Sequence, residues 1–425
     1  MKIYLDTIGC RLNQSEIEIM AAQFRRAGHV IVPESAQADL VVVNTCAVTS
    51  AAASDSRQKV RQAARNQQAK IVVTGCWATL EPQAALQLPG VESVVMNDHK
   101  DSLVADTLQI KPEVFDVEPL AREVLPGEHY RTRAFLKVQD GCDNFCTFCV
   151  TKVARGKGVS RALDAVLQDV RGALAGGVQE VVLSGVHLGS WGRDLSASLR
   201  LSDLIRAILE NTPVSRLRLS SLEPWDLDDN FFNLWQDPRL CGHLHLPLQS
   251  GSADILKRMA RKTTPQAYRL IVEEARAVVP QIAITTDMIV GFPGESDTEF
   301  EESLEYARSL GFAGGHVFSF SPRPGTPAAK YSEQVPGPIK KRRSAVLRAL
   351  FAEAAYTYQK PLLGEHVDVL WEGAQKNADG TWQMKGLTGN YLKVTANTVR
   401  NAWNEIQTIR LTGFSEDGLT GMVLQ

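Results

Sequence analysis

Three cysteines stand within eight residues in Gly141-Cys142-Asp143-Asn144-Phe145-Cys146-Thr147-Phe148-Cys149, spaced C-x3-C-x2-C, with no fourth cysteine nearby. One loop of that length can wrap a single metal centre. A structural zinc site favours a closed set of four ligands. Three thiolates suit three irons of a cubane 4Fe-4S cluster and leave the fourth iron open for chemistry. The competing readings are a zinc knuckle or simple core thiols, and a short motif alone does not separate them. Cys10, Cys46 and Cys76 make a second triad of a different kind. They are distant in sequence, yet each directly follows a candidate strand, in Ile8-Gly9-Cys10, Asn44-Thr45-Cys46 and Thr74-Gly75-Cys76. Any one of them reads as a buried apolar thiol. Three at the carboxyl ends of parallel strands converge on one point, where open α/β sheets bind ligands. That again gives three thiolates and an open position.

The elements that must position these residues follow from periodicity. Ile3 to Asp6 reads as a strand. Ser15 is placed to cap a helix whose apolar face is Ile17, Met20, Ala21 and Phe24, with Gly28 as its stop. Leu40 to Val43, Ile71 to Val73 and Val94 to Met96 read as buried parallel strands, and Ser54 to Arg65 as a surface helix. This predicts an N-terminal open parallel α/β sheet over residues 1–110. Pro112, Pro119 and Pro126 mark 111–130 as a linker. From Phe135 the pattern becomes strand–helix repeats, with strands near 135–138, 180–183, 217–220, 244–248, 288–290 and 317–320. Ser296 and Glu299 form a capping box. Six such units over 131–358 predict a partial (β/α)6 barrel, whose first strand delivers Cys142 to the carboxyl-terminal mouth. A helix from 340 to 360 closes it. Short alternating runs over 360–425 predict a small all-β barrel. The whole is an α/β multidomain chain.

Composition bounds the alternatives. The 425 residues suggest about three domains at ~150 residues each. A net charge of −2 gives no general nucleic-acid signature, so any basic surface is local. The segment 360–425 itself carries six Lys and Arg against seven Asp and Glu. The start, Met1-Lys2-Ile3-Tyr4-Leu5-Asp6, lacks a signal-peptide apolar run, and no stretch approaches the ~20 apolar residues of a membrane span. A cytoplasmic location without membrane contact is expected. There, seven cysteines are metal ligands or free thiols rather than disulfides. Cys241 reads as a core thiol, and His243 and His245 share one strand face, a pairing met more often in hydrogen-bonded structure than in ligands. Lys257-Arg258 and Arg261-Lys262 are candidate phosphate contacts, or a solvated face.

The cysteine loop resembles the signature of the radical S-adenosylmethionine (SAM) superfamily, with Phe148 as the aromatic before the last cysteine. Together the N-terminal triad, this loop and the β-rich tail resemble the methylthiotransferase family over essentially the whole chain. The resemblance implies SAM and two 4Fe-4S clusters, one on Cys10, Cys46 and Cys76 and one on Cys142, Cys146 and Cys149. It implies a SAM pocket in which Gly185 lets backbone approach the methionine moiety, Glu223 accepts from the ribose, Gln249 ends the fourth strand and Gly291 lies on the adenine side. It also implies a tRNA substrate, an external flavodoxin-like electron donor and a TRAM-like RNA-binding tail, in which Trp371, Trp382 and Tyr391 either stack bases or fill the core. Asn44-Thr45-Cys46-Ala47-Val48-Thr49 with Ser56-Arg57-Gln58 looks most like the branch acting on N6-threonylcarbamoyladenosine at position 37, beside the anticodon. The alternatives are isopentenyladenosine in tRNA, a ribosomal-protein aspartate, and, in another class, a non-catalytic iron–sulfur or zinc protein that binds RNA. Lys152 and Val159 stand where the family commonly has a proline and an arginine, which implies either a differently set loop or a different recognition of the substrate.

Overall fold

The computed structural model describes residues 1–66, 68–111, 132–416 and 418–424. Apart from Lys111, the expected linker lies outside the described residues.

The first unit contains strands β1 (Lys2–Thr7), β2 (Val30–Ile31), β3 (Leu40–Thr45), β4 (Lys70–Gly75) and β5 (Val91–Val95), with helices α1 (Arg11–Arg26), α2 (Ser50–Ala63), α3 (Cys76–Leu80), α4 (Pro82–Leu86) and α5 (Leu103–Leu108). The sheet is parallel throughout, in the order β2-β1-β3-β4-β5. Central β3 is buried on both faces. Leu40 and Val42 pack with Ile17, Met20 and Phe24 of α1, while Val41 and Val43 pack with Val60 and Ala63 of α2. That two-sided burial is why it reads as a continuous β-branched run. One expectation is corrected: Ser15 lies inside α1, and Cys10 holds the N-cap position. Ser15 is buried, and its hydroxyl accepts from the Lys137 amide at 3.1 Å, so it ties two units together instead of capping.

The second unit runs through β6 (Arg133–Asp140), α6 (Thr151–Arg155), β7 (Val159–Ser160), α7 (Leu163–Ala175), β8 (Glu180–Gly185), α8 (Leu201–Asn211), β9 (Arg216–Leu219), β10 (His243–His245), α9 (Ala253–Arg258), α10 (Pro265–Val278), β11 (Ala283–Val290), α11 (Asp297–Ser309), β12 (Gly314–Ser319) and α12 (Gly337–Gln359). Six of its strands are parallel: β6-β8-β9 and β10-β11-β12. The two sets are spliced by single bridges, Leu217 to Leu240 and Ser221 to His245. Short β7 is an antiparallel edge that periodicity did not announce. Along β11, Ile284, Thr286, Met288 and Val290 are buried, while Thr285, Asp287 and Ile289 alternate with them on the less buried face. The buried face lies under helices and the other lines the lumen. The Ser296–Glu299 capping box opens α11 as expected, with reciprocal bonds of 3.2 and 2.8 Å.

The third unit is a closed barrel of β13 (His366–Lys376), β14 (Trp382–Thr388), β15 (Lys393–Thr398), β16 (Ile406–Ser415) and β17 (Gly418–Val423), ordered β13-β14-β15-β17-β16. Trp371, Met384, Val394, Ile409 and Leu411 fill its core. Tyr391 does not. It sits between units, bonded to Arg11 and stacked on His243 with centroids 4.6 Å apart. Arg216 donates to the Leu387 carbonyl at 3.0 Å, and Arg218 to those of Thr388 and Gly389 at 3.0 and 2.9 Å. Arg216 and His243 open β9 and β10, and Arg218 reaches back to Glu180 at the start of β8. The 387–391 turn therefore plugs the amino-terminal end of the lumen.

Candidate functional site

The lumen is open to chemistry at the carboxyl ends of its strands. β6 ends at Asp140, and Gly141 then takes φ +69°, where a Cβ would stand 1.7 Å from the Lys157 carbonyl oxygen. Only glycine fits that turn. The loop is then stitched down by Cys142 N–H to Gly156 O (3.1 Å), Thr147 N–H to Met259 O (3.1 Å) and Cys149 N–H to Cys146 O (3.1 Å). The Asn144 amide points at Cys142 Sγ (3.4 Å) and Arg261 Nη1 at Cys146 Sγ (3.8 Å). Burial pushes the Cys146 thiol up to about 11, against the pull of Arg261. Phe148 is half-buried against Met259, Phe292 and Phe320. His187, just beyond β8, bonds Asp226 through Nε2 and meets Asn144 Nδ2 at 3.2 Å. Burial favours its neutral form, but Asp226 and Cys142 together lift it to about 9.

The N-terminal triad gathers beyond the ends of β1, β3 and β4. Cys46 and Cys76 are buried and Cys10 is exposed. A Cβ on Gly9, the neighbour of Cys10, would lie 2.7 Å from Cys46 Sγ. Gly75 takes φ +97° and packs so closely that a Cβ there would meet the Thr45 oxygen at 2.3 Å, so glycine is what lets Cys76 lie against the end of β3. Burial raises the Cys46 thiol, and the charges of Cys10 and Cys76 raise it further, so the three act on one another. Cys10 Sγ donates to Asn13 Oδ1 (3.7 Å), and Asn97 Nδ2 donates to Cys76 Sγ (3.7 Å). Each triad thus offers three thiols, with N–H donors on Cys142 and Cys146 in one and on Cys76 in the other, a donor set that fits a cubane cluster with one iron free.

Sequence reasoning missed what joins the triads. Asn97 Nδ2 also donates to the Ala154 carbonyl at 2.7 Å, across to the barrel unit. Arg155 donates to Glu16 (2.8 Å), Asn13 (2.8 Å) and Asp140 (2.9 Å). Glu16 is buried and also accepts from Lys100 at 2.8 Å, with Lys137 3.7 Å away. Burial alone would raise Glu16, but Lys100, Arg155 and Lys137 hold it well below the usual carboxylate range. At Lys100 burial outweighs the pairing and lowers the pKa. Arg323, in Ser321-Pro322-Arg323-Pro324, reaches toward Cys46, with its Nη2 buried and unpartnered among the described atoms. Only the charge of Arg155 in an otherwise surface-like stretch could have hinted at this network.

The remaining expected residues fall as follows. Gly185 lies against Gln139, whose Oε1 would be 3.0 Å from a Cβ. Glu223 is held in a fork by Arg261 (3.0 and 2.6 Å). Gln249 has φ +73° and bridges to Met288. The Gly291 amide donates to Glu295 at 2.6 Å. All four stand at carboxyl ends of the barrel strands or in the loops just beyond them. Of the basic run, Lys257 and Lys262 are exposed, whereas Arg261 is buried and Arg258 pairs with Glu299. Cys241 is a buried thiol. Lys152 sits 3.3 Å over the Phe145 ring and Val159 is exposed.

Residues 2–97 match the family model "Uncharacterized protein family UPF0004", and residues 136–307 match "Radical SAM superfamily". The chain is 37% identical, across 98% of its own length and 96% of the relative's, to the threonylcarbamoyladenosine tRNA methylthiotransferase MtaB of Thermotoga maritima. The chain belongs to the radical SAM tRNA methylthiotransferase family. MtaB of Bacillus subtilis is 35% identical over 91% of this chain and 88% of the relative. The tRNA-2-methylthio-N(6)-dimethylallyladenosine synthase of Ehrlichia canis is 30% identical over 99% of each. Among solved structures, the radical SAM methyltransferase TsrM from Kitasatospora setae superposes with a TM-score of 0.61 at 15% identity, covering 77% of this chain and 75% of that one, a likeness of fold. This methylthiotransferase is therefore an enzyme that transfers a methylthio group to tRNA, with SAM and 4Fe-4S clusters as its cofactors. The zinc-knuckle and non-catalytic readings fall. No helix among the described residues is long and apolar enough to cross a membrane.

Proposed function

We propose that this methylthiotransferase converts N6-threonylcarbamoyladenosine at position 37 of tRNA to its 2-methylthio derivative. The observation that carries the chemistry is the presence of two separate three-thiol sites joined by Asn97 and Arg155. Relatives named for the threonylcarbamoyl substrate, at 37%, 35% and 34% identity, support the substrate. Carbon 2 of adenine offers no acidity or nucleophilicity to a general base, whose contribution of ~10²–10⁴-fold cannot replace a hydrogen there. When bound, the cofactors supply radical hydrogen abstraction and the sulfur.

The chain's own residues position that chemistry. Cys142, Cys146 and Cys149 hold one cluster and Cys10, Cys46 and Cys76 the other. Phe148, Gly185, Glu223, Gln249 and Gly291 shape the SAM pocket, with Arg261 fixing the orientation of Glu223. Arg155 and Glu16 keep the two sites in register. The unit boundaries assigned are 1–110, 111–130, 131–358 and 360–425, the last being a TRAM-like RNA-binding barrel. A cytoplasmic location and a flavodoxin-like electron donor complete the reading.

The test uses the full chain reconstituted with iron and sulfide, given SAM, a reductant, and tRNA bearing either threonylcarbamoyl- or isopentenyladenosine. Methylthiolation of the first alone is expected. Product on the second would replace this substrate by isopentenyladenosine, and product on neither, with methylthiolation of an added ribosomal protein, would replace it by the aspartate.

A further inference from the structure

Midway along the lumen, between the plugged end and the cysteine mouth, lies a polar layer distinct from both cysteine triads. His243 and His245 of β10, Thr285 and Asp287 of β11, and His316 of β12 share one face. The parallel registers fix this by pairing His243 with Ala283, His245 with Thr285, and Asp287 with His316. The imidazoles of His245 and His316 aim at one carboxylate oxygen: His245 Nε2 is 3.2 Å and His316 Nδ1 3.0 Å from Asp287 Oδ1. One donor atom from each of the three residues lies within 4.8 Å of the others.

We propose that His245, Asp287 and His316 bind a divalent transition-metal ion of the zinc or ferrous class, in addition to the cluster iron. Three features of the layer point there. Two imidazoles and one carboxylate form the donor set that such ions take with positions left open. Ligands about 2.0–2.2 Å from a zinc-like ion lie roughly 3.0–3.5 Å from each other, and the two contacts to Oδ1 match that edge. The imidazoles are also held from behind. Thr285 Oγ1 sits 2.9 Å from His245 Nδ1, which turns Nε2 toward Asp287. The same hydroxyl is 3.0 Å from His243 Nε2 and 3.4 Å from the Leu244 carbonyl oxygen. Metal-binding histidines are commonly oriented this way through their other nitrogen.

Three adjacent, in-register strands supply the ligands, so no backbone rearrangement is needed to assemble the set. His245 and Asp287 are mostly buried (side chains 13% and 25% exposed), whereas His316 is 72% exposed. The open positions therefore face the lumen, where a hard oxygen donor such as a carboxylate can enter. Arg11 is a cation that acts on His316; it is bonded to Tyr391.

The test is zinc binding to the full-length, cluster-loaded protein, with zinc and iron measured on the same sample after dialysis against Zn²⁺. Stoichiometric zinc is expected in the native protein. His316→Ala, an exposed position, and Asp287→Asn should each abolish it while iron content and circular dichroism stay unchanged. Thr285→Ala should weaken it by about 10–100-fold. If the native protein takes up no more zinc than Asp287→Asn, or if His316→Ala retains full uptake, the layer is held by protons alone and the proposal is wrong.

Discussion

Glu16 receives Lys100 and Arg155 together beside the N-terminal triad. Replacing it by glutamine leaves those buried cations short of a charge, which costs about 3–5 kcal/mol when a buried pair is broken. Urea denaturation of Glu16→Gln should report a loss of that order. The pH dependence has a definite sign. The folded-state pKa of Glu16 lies well below its ordinary 4.5, so its contribution is fully present above about pH 4.5 and is lost as pH falls through the folded value. Native protein should therefore lose stability more steeply on acidification than Glu16→Gln does, as measured by denaturant midpoints at successive pH values. The cysteines give a second expectation at this scale: serine variants of either triad should bind about half the native iron and form no methylthio product. The cysteines were legible because spacing and strand position are local signals. Glu16 was not, since its partners lie 84 and 139 positions away and an isolated glutamate in a helix carries no mark of burial.

At the scale of elements, the turn that ends β4 leaves no room for a side chain. Gly75→Ala would drive a Cβ into the Thr45 backbone from a positive-φ conformation, displacing Cys76 from the end of β3. Iron analysis of this variant should show loss of one cluster with the Cys142 loop still loaded. Retention of both would contradict the tight fit. The buried strands β3 and β4 announced themselves because they are apolar on both faces, whereas of β11 the sequence marked only 288–290, since Thr285, Thr286 and Asp287 interrupt the apolar run. The start of α1 did not. A capping rule looks for Ser, Thr, Asp or Asn, whereas the actual cap is Cys10, whose thiol bonds Asn13. Two-residue β2 and β7 are too short to leave a periodic trace.

At the scale of the whole molecule, the order of units was readable but their docking was not. Tyr391 looked like a base-stacking or core residue. It proves to be the pivot where three units meet, through Arg11, His243 and Arg218. Tyr391→Ala should leave both clusters loaded yet speed hydrogen exchange and proteolysis around residues 387–392, because the plug loses its stack and its hydrogen bond. The central claim concerns what this assembled molecule does to tRNA. Nucleoside mass spectrometry of tRNA from a strain lacking the protein tests it most directly. The expected result is disappearance of 2-methylthio-N6-threonylcarbamoyladenosine with accumulation of its unthiolated precursor, restored by the native chain and not by a serine variant of either triad. An unchanged level of that nucleoside, or loss of the methylthio-isopentenyl form instead, would contradict it.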